Sequence, residues 1–215
     1  MEMDMDGYWL DCDYISGACF SFENGMKHFK YGDIAAVGSD YGFAVSHLVL
    51  GVEELIKSLL LVCLHSNQYF LTTKEKEKIF SQHNFKHLNI KELFSSLLPE
   101  RIEAYHENPF AFINSEQANK FQTTAHFLSR GLKLGTIEED EINILLKLMS
   151  HANDHKNKGF YVDYRFDWKL PEDIDSNLYA EYKKLTNKLI GLIEPLFTMP
   201  ITDERLQDFL EGEWI

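Results

Sequence analysis

Cysteine is scarce in this chain: Cys12, Cys19 and Cys63 are the three in 215 residues. Their number is odd and no two form a CxxC pair, so neither a disulfide framework nor a thiolate zinc site is expected, and a reducing cytoplasm is the simplest home. Basic residues are also short. The 21 Lys and Arg face 34 Asp and Glu, a formal charge of -13, which argues against broad nonspecific binding to nucleic acid because that binding needs cations to neutralise phosphates. A local basic groove stays open. No apolar run approaches membrane-spanning length, and the leading Met-Glu-Met-Asp-Met-Asp is acidic where a signal peptide is basic, so a soluble chain with no membrane partner is expected. Glycine-rich phosphate loops and nucleophile elbows are missing as well. What is abundant is apolar surface: 45% of residues are hydrophobic, ample for the core of one large domain.

That surface is densest in Tyr41–Leu61. At about 100° per residue, Val45, Leu48, Val49, Val52, Leu55, Ile56, Leu59 and Leu60 share one broad helical face. Glu53, Glu54 and Lys57 fall outside it but are interleaved with Leu50 and Leu61, so partial burial of charge is expected. Buried charge is costly unless paired. Glu53 with Lys57 (i,i+4) or Glu54 with Lys57 (i,i+3) offers a purely local pair.

Residues 1–14, acidic and aromatic without a period, read as an N-terminal arm, and 15–215 as a single helical domain. Ser16 looks like a helix start, and Phe20, Phe22, Met26, Phe29, Ile34 and Val37 follow at mixed helical spacings up to a turn at Gly38-Ser-Asp40. With the next helix running from Tyr41 to about Leu64, so short a turn predicts an antiparallel helical hairpin. Further helices are expected after Thr72 or Thr73, from Ser115 to about Leu132, and from Glu138 to about Lys158. Residues 160–168 alternate Val162, Tyr164, Phe166 and Trp168 with Asp163, Arg165 and Asp167, a strand-like pattern with no convincing partner, and so read as an extended strap on the bundle. Leu178, Tyr182, Leu185, Leu189, Leu192 and Leu196 mark an amphipathic helix ending near Pro195, more in keeping with a core helix than with a dimer interface. A short helix from about Asp203 to Leu210 follows.

Three blocks then suggest a relationship: Tyr41, Ala44-Val-Ser46 and Glu53-Glu54-Leu-Ile-Lys57; Phe80-Ser-Gln-His83-Asn-Phe-Lys86; and Lys158-Gly-Phe-Tyr-Val-Asp-Tyr164 before a proline. In this order the chain resembles the AbiV family of abortive-infection proteins, of the HEPN superfamily, over about residues 17–171, with C-terminal helices at 172–215. The resemblance implies an all-α HEPN-like bundle, a role in bacterial defence against phage, and frequent homodimerisation. Many HEPN proteins cut RNA without a metal through an Arg-x4-6-His motif. Histidine moves a proton of the ribose hydroxyl or leaving oxygen, and arginine stabilises phosphate charge. The formal match is Arg101-Ile-Glu-Ala-Tyr-His106, outside the long helix that normally carries the motif.

A second site competes with it. His83 and Lys86 are one turn apart and can face Glu54 and Lys57 if their helix packs on the long one. A carboxylate beside histidine raises its pKa, and two lysines can hold a phosphate. The expected catalytic set is therefore His83, Lys57, Glu54 and Lys86, with Arg101 and His106 as the alternative. Lys86 and Lys158 would bind RNA, and Glu53, Tyr161 and Asp163 would support the site. The competing interpretation is a satisfied polar network that only ties helices and strap together. His83/His87 and His151/His155 have the HxxxH spacing of zinc ligands, but both lack the glutamate of HExxH, and Asp154-His-Lys-Asn-Lys158 looks solvated. No metal and no cofactor are expected. Two functions follow: a defence effector acting on RNA or a nucleotide, or a noncatalytic defence protein that binds a phage or host protein.

Overall fold

A computed structural model describes residues 13–66, 139–164, 168–198 and 200–211. Its elements are α1 (Tyr14–Val37), α2 (Tyr41–His65), α3 (Glu139–Phe160), the two-residue strands β1 (Asp163–Tyr164) and β2 (Trp168–Lys169), a 3-10 turn (Pro171–Asp173), α4 (Ser176–Phe197) and α5 (Asp203–Glu211). The described chain is thus helical apart from one minimal strand pair.

The hairpin is set by its caps. Asp13, not Ser16, caps α1: its carboxylate accepts from the Ser16 N–H at 2.9 Å and from the Ser16 hydroxyl at 2.6 Å, which places Ser16 inside the first turn. At the other end, Ser39 takes a left-handed φ of 62°. The amides of Gly38, Ser39 and Asp40 fold back onto Ala35 and Ala36 carbonyls, and Asp40 caps α2 by accepting from the Phe43 N–H at 3.1 Å. The chain reverses within this turn.

The two helices run antiparallel at close range because glycines face each other. A Cβ on Gly25 would lie 3.0 Å from the Gly51 carbonyl oxygen, one on Gly32 would lie 3.1 Å from that of Ala44, and one on Gly51 would strike the Phe29 ring. Thus α1 meets α2 through Ala18, Ser21, Gly25, Phe29 and Gly32. The mixed spacing of the bulky residues of α1 is reflected in their burial: Phe29 is buried and Phe22 and Met26 are half-buried, but Phe20, Ile34 and Val37 are exposed. Small residues occupy the seam, so the bulky ones point elsewhere.

Helix α2 is central. Every member of its expected apolar face is buried, and so are Leu61 and Glu53. Helix α1, the C-terminal half of α3, and α4 pack around it. Helix α4 contributes Tyr182, Leu185, Leu189 and Leu196 to the core as its spacing predicts, together with Ile193, while Leu178 and Leu192 are half-buried. The helix ends at Phe197, near Pro195 as expected. The proline sits in the last turn, so the hydrogen bond forfeited by its missing N–H falls at the helix end, and its carbonyl accepts from Thr198 at 3.0 Å and Arg205 at 2.6 Å.

The strap also differs from expectation. Helix α3 continues through Phe160, and the segment beyond pairs with its own continuation, Asp163 opposite Lys169 and Tyr164 opposite Trp168. The partner strand begins at Trp168, the last residue of the alternating stretch itself, and is two residues long, too short to show as a second pattern.

Candidate functional site

The charged patch of α2 divides into two pairs. Lys57 donates to Glu54 at 2.6 Å on the same helix, with about one-sixth of each side chain accessible. Glu53 does not pair with Lys57. Its carboxylate accepts from Lys156 of α3 at 2.9 Å, with side-chain exposures of 1% and 6%. The reason is direction: Glu53 points into the α2–α3 contact, where the long side chain of Lys156 meets it, while Glu54 lies on the adjoining, wetter strip. Lys156 belongs to the stretch expected to be solvated, and that expectation is corrected here. Its backbone is held as well, since the Ser46 hydroxyl donates to the Lys156 carbonyl at 2.7 Å.

One turn further along α3, Gly159 abuts Gly42 and Ser46 so closely that a Cβ would collide with both. Gly42 in turn abuts the Pro171 carbonyl. Lys158 reaches Asp173 of the 3-10 turn at 3.3 Å. The Asp173 carboxyl is held below its usual range, first by the Leu170 N–H and then by Lys158. The long-helix block and the Lys158–Tyr164 block therefore meet in space, joined by Ser46, Glu53 and Lys156. A sequence model of the HEPN AbiV family matches residues 13–191, a span that holds both blocks and the hairpin. The chain belongs to the AbiV family. Membership places it among abortive-infection proteins and agrees with the helical fold. No curated protein and no solved structure matches the chain.

Beside these pairs lies a feature of this AbiV chain that sequence reasoning missed. His28 of α1 and His47 of α2 approach with their Nδ1 atoms 3.0 Å apart. One ring must donate and the other accept, so the neutral pair holds one Nδ1–H and one Nε2–H tautomer. Burial lowers the His28 pKa against the opposing pull of Glu54 and Glu53. Burial and then the field of His28 lower that of His47. Both imidazoles are therefore neutral at pH 7 and able to take a proton. Aromatic rings surround them: Phe43 meets His47 edge-on at 4.8 Å, Phe160 meets it at 5.5 Å, and Tyr31 lies at 5.7 Å. Phe160 also touches Tyr161, which is largely exposed, as are Tyr31 and Phe43. A strip thus runs from Lys57 and Glu54, past His28 and His47, to Phe160 and Tyr161.

Of the expected site residues, Glu54, Lys57 and Tyr161 lie on or at the ends of this strip. Glu53 belongs to the buried link and Lys158 to the 3-10 turn contact, while Asp163 falls in β1. His83, Lys86, Arg101 and His106 lie outside the described residues. One signal for the missed pair was available: His47 precedes Glu54 by seven residues, two turns along the same stripe. Among the described residues, no group of three or more His, Cys, Asp or Glu side chains is placed to hold a metal ion, and no helix is long and apolar enough to cross a membrane.

Proposed function

We propose that this AbiV family member acts in the cytoplasm as a phage-defence effector that binds and cleaves RNA along the His28–His47 strip. The Nδ1–Nδ1 contact carries the reading. A neutral imidazole supplies the base that transesterification requires, and the imidazolium it becomes on taking up a proton supplies the acid. The base takes the proton of a ribose 2′-hydroxyl as that oxygen attacks the adjacent phosphorus, and a proton is returned to the departing 5′-oxygen. Lys57 offers charge for the phosphate, and Tyr31, Phe43 and Tyr161 offer faces for bases. His83 and Lys86 are proposed to complete the site, with Lys86 and Lys158 contacting the RNA backbone, and Arg101 with His106 is the competing catalytic pair. No metal takes part in this route.

A second reading, noncatalytic binding of a phage or host protein, is favoured by the apolar side chains that α1 turns outward, Phe20 at 70% exposure and Val37 at 90%. The same stripe would serve a homodimer. Purified protein incubated with total RNA separates the readings. Cleavage lost in His47→Ala, with helicity and Tm retained, supports the strip. Cleavage lost only in His83→Ala or His106→Ala moves the catalytic centre off it. Neither cleavage nor binding at low salt removes the RNA reading and leaves the protein partner.

A further inference from the structure

Helix α3 carries a second pair of imidazoles that the RNA strip does not use. His151 and His155 are one turn apart on α3, their ring centroids separated by 5.8 Å and their planes inclined by 34°. His151 is exposed and His155 half-buried. We propose that these two side chains form a binding site for an exchangeable divalent transition-metal ion, with Tyr182 of α4 as its positioning residue.

The spacing alone would not distinguish this pair from any HxxxH; the hydrogen bonds behind it do. The Tyr182 hydroxyl lies 3.0 Å from the Leu148 carbonyl oxygen and 2.9 Å from His155 Nδ1. A hydroxyl has one hydrogen. Both contacts are hydrogen bonds only when that hydrogen goes to the carbonyl and His155 donates its own Nδ1–H to the hydroxyl oxygen. The lone pair of His155 is then fixed on Nε2. Metal-bound histidines are prepared in this way, the remote nitrogen donating to an oxygen that sets tautomer and ring orientation. Tyr182 is itself fully buried, so the orienting oxygen cannot swing away.

The surroundings agree. Burial, and then the neighbouring His151, lower the pKa of His155, which keeps it in the ligating neutral form. Asp154 of α3 and Glu181 of α4 place negative charge within electrostatic reach, opposed by Lys158. Zinc–nitrogen bonds of about 2.0–2.1 Å at a near-tetrahedral angle hold two imidazole centroids roughly 5 Å apart. The observed 5.8 Å is close to that separation. Two protein nitrogens leave the remaining positions to water, so the ion exchanges readily. Imidazole donors select zinc, nickel, cobalt or copper over magnesium and calcium.

The test uses the full chain, with Zn²⁺ by titration calorimetry and Co²⁺ by its visible absorption. Loss of one metal equivalent in His151→Ala is expected, with any other imidazole sites unchanged and with no competition from Mg²⁺. Tyr182→Phe is expected to weaken that same equivalent by about 10–100-fold, with circular dichroism confirming the fold. An unchanged stoichiometry in His151→Ala and in His155→Ala would overturn the site. Unaltered affinity in Tyr182→Phe would overturn the positioning role.

Discussion

Replacing Lys156 with methionine tests the buried link between α2 and α3. At the observed 2.9 Å and an effective dielectric of about 20, the gross attraction between Lys156 and Glu53 is about 6 kcal/mol. Desolvating the two ions costs several kcal/mol each, so the intact pair nets close to zero. Methionine keeps the apolar stem of lysine and removes the charge. The attraction disappears while the desolvation of Glu53 remains, a loss of about 3–5 kcal/mol. At roughly 2–4 °C per kcal/mol for a chain of this size, Tm should fall by roughly 6–20 °C. Glu53→Leu combined with Lys156→Met removes both charges and should return to within about 1 kcal/mol of the parent. Urea unfolding of the parent, both single variants and the double variant closes the thermodynamic cycle. Additive losses, or a Lys156→Met variant as stable as the parent, would refute a charge-coupled link.

Two further outcomes are expected. Folded His28, His47 and His155 all have pKa values lowered by burial, whereas the unfolded chain titrates near 6.5. The unfolded state then binds protons more readily, so stability present above about pH 6.5 drains away as pH falls toward the lowered folded values. Urea midpoints between pH 8 and 5 should trace that decline, and His28→Gln with His47→Gln should flatten it. Among the glycines, alanine at 159 collides with Gly42 and Ser46, and alanine at 51 with the Phe29 ring; each should destabilise by about 1–3 kcal/mol. Gly191, with nothing within 4 Å of a built Cβ, should instead gain about 0.5–1 kcal/mol as alanine. Thermal unfolding of the three variants orders them.

The hairpin was legible because α2 is buried along a continuous helical face and because Asp40 and Gly38 mark the turn in local chemistry. Helix α1 was legible in extent but not in orientation: its seam is built from Gly25 and Gly32, which no hydrophobicity pattern records, so the mixed spacing of its bulky residues marked no face. Glu53 was correctly read as a buried charge, yet its partner was not, since Lys156 stands 103 residues away in a stretch whose composition looks wet. His28 and His47 escaped for a related reason. Each is unremarkable on its own helix, and only the antiparallel register of α1 on α2, fixed by backbone contacts, brings them together. The family blocks fared better than single residues because Ser46 and Gly159 keep recognisable neighbours even where the contact between them is long-range.

The span between Glu53 and Lys156 also sets an order of events at the ribosome. The α1–α2 hairpin is complete in the first third of synthesis, stitched by local contacts. At 5–20 residues per second, roughly 5–20 s pass before Lys156 is even polymerised. Throughout that interval the Glu53 carboxylate sits on a finished hairpin whose α3 clamp does not yet exist. Docking of α3 is consequently a late, long-range closure.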